Sequence, residues 1–175
     1  ILHATNATFE QWDIRKLSKR NDLAGAFDST ICLEVIEHVL QDEQLMCDIG
    51  KCLKPGGKLY LTTPNIGYIP ISKGDNGPFS QIEDGSHVRR GYAQKDLERI
   101  CLTAGLECER ISFCSGVLSQ KICLIYRMLA QYNLCIAWIT ILPLRILPLI
   151  FDEFISRCLR WPSYSICLEA RKPLA

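Results

Sequence analysis

The sequence carries almost no net charge: 20 lysines and arginines stand against 19 aspartates and glutamates, leaving a formal +1. That balance removes the broad basic footprint with which proteins hold nucleic acid and favours a small or uncharged partner. Ten cysteines are present, yet no two are spaced as C-x-x-C. The missing pair excludes a zinc ribbon. Because most cysteines sit in apolar runs (Cys32, Cys101, Cys123, Cys135, Cys167), they are expected to be reduced and buried, in a cytoplasmic protein. No charged n-region, apolar h-region and cleavage site follow one another, so nothing supports a signal peptide. Methionine is scarce: Met46 and Met128 are the two, and the chain begins at Ile1, so the sequence is expected to continue upstream. The sequon Asn6-Ala7-Thr8 is read as noise in such a protein.

What is present suits one ordinary domain of 175 residues. Residues 7–12 can form a short strand ending at Asp13. Phe27 to Leu33 is an apolar run of strand length between Gly25 and a charged turn. Leu45, Met46, Ile49 and Leu53 recur at helical spacing, with Asp42 and Glu43 at the start and Lys51 and Lys54 at the end, as the helix dipole prefers. Pro55-Gly56-Gly57 turns the chain into a strand over 58–63. Residues 66–91 read as a long functional loop, 93–104 as a helix capped by Gly105, and 106–114 and 164–170 as strands. Strands alternating with helices predict an α/β fold with a mostly parallel sheet. The expected units are a partial core over 1–116, an apolar helical insertion over 117–160, and a terminal strand over 161–175.

Within that insertion, 134–151 is nearly all apolar, interrupted by Thr140, Pro143, Arg145 and Pro148. Three readings compete: a helical cover over the sheet or site, a peripheral membrane contact through 134–151, or a membrane span. On the second reading the segment rests on the membrane interface, with Trp138 and the flanking Arg127, Arg157 and Arg160 as anchors. Arg145 and two prolines count against a span, and the helical cover is preferred.

Several of these pieces occur in an order that resembles a family. Phe27-Asp28 opens a strand, Glu34-Val35-Ile36-Glu37-His38-Val39 closes it, and Leu53-Lys54-Pro55-Gly56-Gly57 and Thr63-Pro64-Asn65 follow. His87-Val88-Arg89-Arg90-Gly91-Tyr92 continues the series. Together they resemble class I S-adenosylmethionine-dependent methyltransferases, and within them the subgroup related to ubiquinone-biosynthesis O-methyltransferases. Each piece is weak alone; four in order are specific. The resemblance implies a Rossmann-like sheet with flanking helices and S-adenosylmethionine as cofactor. It also implies that Asp13 takes the adenine amino group, Ile14 flanks the ring, and Leu33 and Glu34 lie beside the methionine part. The family's glycine-rich loop and ribose-binding acid find no counterpart in this sequence, so the sheet is expected to be truncated at its N-terminal side and cofactor binding by this segment to be weak.

The turn E-x-x-E-H carries the chemistry. In a helical turn Glu34, Glu37 and His38 project to one side. Two carboxylates and an imidazole suit Mg²⁺ or another divalent cation, and some relatives use the motif as a metal site with a further histidine, here His87. Alternatively Glu37 and His38 are catalytic, His38 serving as general base, or the turn is structural. Arg89 and Tyr92 are candidates for binding the acceptor, and a solvated loop is the competing reading. The expected reaction is methyl transfer to an oxygen of a small or lipidic acceptor. The rival from another class is a non-catalytic interaction or membrane-associating module with the same fold; an RNA acceptor is disfavoured by the balanced charge.

Overall fold

The computed structural model describes residues 7–174. Among them, strands β1 (Phe27–Leu33), β2 (Leu53–Pro64), β3 (Glu107–Cys114) and β4 (Ser165–Arg171) form one sheet in the order β1-β2-β4-β3. β1 and β2 run parallel, and β4 runs antiparallel to both β2 and β3. Three strands therefore share one direction and the terminal strand is reversed. The α/β, Rossmann-like layout holds.

Alternation along the strands sets two faces. Leu59 and Leu61 of β2, with Ile166, Leu168 and Ala170 of β4, turn to one face and are buried. Against them pack Leu45, Met46 and Ile49 of helix α1 (Asp42–Cys52) and Leu97, Ile100 and Cys101 of helix α2 (Gln94–Thr103). Residues of full burial such as Leu61 and Ile100 each contribute roughly 1.5–3 kcal/mol. The other face, carrying Ile31 and Leu33 of β1, is largely open, and Ile31 is 68% exposed.

The strand expected over 7–12 does not form. That stretch is irregular and exposed, with Phe9 93% accessible and Trp12 held only beneath Arg20. A strand needs a ladder partner, and none of the described residues offers one there. The Pro55-Gly56-Gly57 turn also falls inside β2 rather than before it. There the pairing register with β1 slips between Phe27 and Ser29, and Gly56 takes φ +78°, a bulge conformation that glycine adopts without strain.

Between β3 and β4 lie three helices, α3 (Val117–Ala130), α4 (Leu134–Leu144) and α5 (Ile146–Cys158). They pack mainly on one another and touch the sheet sparsely. The buried Asp152 of α5 accepts hydrogen bonds from the backbone of Gly116 (2.9 Å) and Leu118 (2.8 Å), capping the start of α3 from another helix. Apolar side chains of α4 and α5 face outward, Leu149 being 85% exposed. This orientation corrects the expected burial of the thiols: Cys123 and Cys135 are exposed, whereas Cys32, Cys52 and Cys101 are buried. Among the described residues no single helix is long and apolar enough to cross a membrane. The pair α4–α5, bent by 63°, meets that length and composition only jointly.

Candidate functional site

β1 ends at Leu33, and the chain then turns sharply. Glu34 adopts φ +52°, a left-handed conformation uncommon for a side-chain-bearing residue. Its backbone N–H still bonds to Thr62 O (2.9 Å), so the kink is fixed to the end of β2. A single turn of 3₁₀ helix, Ile36–His38, follows, with Ile36 plugged into the core.

That plug carries Glu37 into the interior. Its side chain is wholly buried; Oε2 accepts a hydrogen bond from Thr63 Oγ1 (3.0 Å), while Oε1 has no hydrogen-bond partner among the described residues. His38 Nε2 lies 3.9 Å from that free oxygen, and His38 Nδ1 is buried and likewise unpartnered. The long loop delivers the third member. Val88 N–H bonds to Glu37 O (3.0 Å), and the ring of His87 meets His38 edge to face with centroids 4.5 Å apart. Ligand atoms of Glu37, His38 and His87 lie within 4.8 Å of one another, the one such cluster among the described residues.

Electrostatics sharpen this arrangement. Burial pushes the Glu37 carboxyl above the usual carboxylate range, and the nearby Glu34 charge adds to the effect. Burial, aided by His38, holds the His87 imidazole below its ordinary value. A neutral imidazole beside a buried carboxyl with a free lone pair can accept a proton or a cation.

The sequence grouped Glu34 with this cluster, and the geometry separates them. The left-handed kink sends Glu34 the other way, where Oε1 accepts from Ser165 Oγ (3.3 Å). Glu34 there lines a cavity of about 400 Å³ with Thr62, Cys114, Ser119 and Cys123. The reading of Glu34 as a ligand together with Glu37 and His38 assumed a helical turn, and the positive φ removes that register.

Arg89 and Tyr92 are directed at the turn rather than into a cavity. Arg89 pairs with Asp42 and donates to the carbonyls of Val39 (2.7 Å) and Leu40 (3.0 Å). The Tyr92 hydroxyl lies 2.7 Å from Asp42 Oδ2 and 3.2 Å from Ile36 O. Burial and the Asp42 carboxylate push its pKa well above the ordinary tyrosine value. Gly91 makes this approach feasible: at φ +143°, a Cβ on it would sit 2.2 Å from Pro64 O. Sequence reasoning missed Asp42, which its helix-start position explained sufficiently, and Glu83, whose Oε1 accepts from Leu40 N–H (2.7 Å).

Of the residues expected at a cofactor, Ile14 and Leu33 share a hollow of about 370 Å³ with Leu17, Thr30 and Val35. Asp13 is not free to join them. Arg15 donates to both its oxygens, from Nε (2.7 Å) and Nη2 (2.8 Å), and holds its carboxyl down at about 2. Arg15 Nη1 also reaches Glu83 (2.9 Å), so one arginine ties Asp13 to the loop that braces the turn.

Comparison with known proteins gives this geometry a family. The profile of a family described as "Methyltransferase domain" matches residues 3–111. A ubiquinone biosynthesis O-methyltransferase from Dechloromonas aromatica is 29% identical over 111 residues, covering 59% of this chain and 48% of its own length. The chain thus spans about half the length of the curated relatives it matches. Among solved structures, a SAM-dependent methyltransferase from Archaeoglobus fulgidus aligns with a TM-score of 0.52 at 14% identity, over 97% of this chain and 70% of its own. Phosphoethanolamine N-methyltransferase 2 from Haemonchus contortus, solved with S-adenosyl-L-methionine, aligns with a TM-score of 0.52 at 18% identity, over 86% of this chain and 34% of its own. At these identities the structural likeness speaks for the fold.

Proposed function

Because this chain belongs to the methyltransferase-domain family, we propose that it forms the acceptor side of an S-adenosylmethionine-dependent enzyme that methylates an oxygen of a small or lipidic acceptor. The observation that carries the reading is the buried Glu37 carboxyl, whose free oxygen faces His38 and His87 at the carboxyl end of β1. Open α/β sheets bind their ligands at that edge.

Methyl transfer from a sulfonium depends chiefly on holding the acceptor lone pair in line with the departing sulfur. A hydroxyl acceptor gains further when its proton is removed. In this reading His38 accepts that proton and Glu37 stabilises the imidazolium that results. Glu37, His38 and His87 would also hold a divalent cation. One carboxylate and two imidazoles suit Mn²⁺, Fe²⁺ or Zn²⁺ better than Mg²⁺, which prefers oxygen ligands. Such an ion, when bound, lowers the pKa of a coordinated hydroxyl. Ile14 and Leu33 flank the hollow proposed for the cofactor, and Asp13 must leave Arg15 before it can accept from an adenine amino group.

A lipidic acceptor is supported by two neighbouring cavities. The 400 Å³ cavity at Glu34 shares Ser115, Ser119 and Cys123 with a second of about 620 Å³, which runs under Trp138 and Leu149. An acceptor that reaches past Glu34 from the turn would lay its apolar tail along α3. The naming of the curated relatives as ubiquinone biosynthesis O-methyltransferases agrees with such an acceptor. The outward apolar faces of α4 and α5, flanked by Arg127, Arg157 and Arg160, favour a second reading of the insertion as a lipid-interface contact.

The test is transfer of labelled methyl from S-adenosylmethionine by the complete protein, offered phenols with and without a prenyl tail. Transfer to the hydroxyl with a lower KM for the tailed phenol is expected. Cofactor binding without transfer to any phenol would overturn the proposal.

A further inference from the structure

Two of the ten cysteines are set apart by geometry. Antiparallel register places Cys167 of β4 opposite Ser112 and Cys114 of β3 opposite Ser165. The two cysteines are therefore diagonal neighbours on the same open face of the sheet, and their sulfurs are 3.2 Å apart. A disulfide bond is about 2.05 Å long, so the sulfurs must close by roughly 1 Å, and the two strands must draw the Cβ atoms to within about 3.5–4.5 Å as they do. Cys114 is exposed and lines the cavity beside Glu34, while Cys167 is half-buried behind it.

Their position in the chain gives the pair a consequence. The helical insertion leaves the sheet through Cys114, Ser115 and Gly116 and returns through Tyr164 and Ser165. Its two ends are joined by Tyr164 N–H donating to Ser115 O (2.9 Å). Ser115 at this neck has φ +59°, left-handed for a residue with a side chain. Beyond the neck, the insertion is fastened to the core by the ion pair of Arg127 with Asp75 (3.1 Å). The cavity beside Glu34 lies between sheet residues and α3, with Cys114, Ser115, Tyr164 and Ser165 of the neck in its wall.

We propose that Cys114 and Cys167 form a reversible, peroxide-sensitive dithiol site whose disulfide pins the neck of the insertion. The Cys114 thiolate attacks one oxygen of hydrogen peroxide; the O–O bond breaks, hydroxide leaves and a sulfenic acid remains on Cys114. The Cys167 sulfur, losing its proton, then attacks the sulfenic sulfur and displaces its hydroxyl, which leaves as water. In sum two thiols lose two hydrogens and one peroxide becomes two waters. Burial and the neighbouring Cys114 push the Cys167 thiol up to about 12, so the first attack falls to Cys114 and the Cys167 proton leaves only as its sulfur closes on the sulfenic acid. The site forms whether or not the cavity takes a methyl acceptor.

The experiment is to treat the purified protein with stoichiometric hydrogen peroxide, alkylate the remaining thiols and map its peptides by mass spectrometry. A Cys114–Cys167 linked peptide is expected, with a loss of about 2 Da that dithiothreitol reverses. Hydrogen exchange of residues 115–116 and 163–164 should slow severalfold in the oxidised protein. Cys167→Ser should instead trap Cys114 as a sulfenic acid that a dimedone probe labels. Continued alkylation of Cys167 after peroxide, or linkage of Cys114 to a different cysteine, would overturn the site. Unchanged exchange in the linked protein would overturn the pinning.

Discussion

The two sides of the β1 carboxyl end differ in what their polar groups are doing. On the side proposed for the cofactor both oxygens of Asp13 are engaged by Arg15, and Arg15 is itself tied to Glu83. On the acceptor side Glu37 Oε1 and His38 Nδ1 are buried without partners, although Asp42, Arg89 and Tyr92 hold the backbone around them by hydrogen bonds. Leaving a buried polar atom unsatisfied costs on the order of 1–3 kcal/mol. A fold that tolerates this while bracing the surrounding turn supports the proposal that puts the chemistry at that turn and not at Asp13. The lesson is that a motif's charged residues are told apart by which of their atoms remain available.

The contrast can be broken from the inside first. Ile36→Ala removes the fully buried plug beneath the turn and should cost about 2–4 kcal/mol in urea unfolding. Arg89→Ala should follow at about 1–3 kcal/mol, reduced from the buried-pair range because its side chain is partly exposed. If Arg89→Ala left the unfolding midpoint unmoved, the brace would be incidental.

Glu37→Gln should act in the opposite direction. The carboxyl is raised in the folded state, so its contribution favours folding below the unfolded pKa and fades as pH rises through the folded one. The share of the stability that Glu37 carries should therefore fall as pH climbs through that range. The glutamine variant lacks that share, so its stability relative to the unsubstituted protein should rise with pH, to roughly 1 kcal/mol at the alkaline end. Parallel profiles for the two proteins would contradict burial as the cause.

The smallest effect is expected on the other side. Arg15→Ala should leave the unfolding midpoint in place, because the pair lies at the surface. Its signature is electrostatic: the Asp13 carboxyl, followed by NMR titration, should rise from about 2 towards the ordinary range. An unmoved Asp13 titration would show that Arg15 does not hold it.

Much of the fold was legible because it rests on local periodicity. β1 matches the apolar run from Phe27 to Leu33, and α1 spans the stretch marked by Leu45, Met46 and Ile49. The failures have common physical roots. Residues 7–12 have strand composition but no ladder partner, and a strand cannot be read from one sequence segment alone. Cys123 and Cys135 sit in apolar helices, but hydropathy does not say which way a helix faces when it packs mainly on other helices. In the site, Glu37 and His38 were visible from spacing. The separation of Glu34 was not, since it depends on a left-handed backbone that no residue type announced. The brace of Arg89, Tyr92 and Asp42 spans about fifty residues of chain and is a tertiary fact.

The central claim is that chemistry depends on the turn while cofactor grip does not. Its most direct test is methyl transfer and S-adenosylmethionine affinity measured together on the complete protein carrying His38→Ala. Loss of a general base predicts a fall in kcat of about 10²–10⁴-fold with the cofactor Kd unchanged. Transfer at the unsubstituted rate, or a cofactor affinity that falls in step with it, would contradict the account.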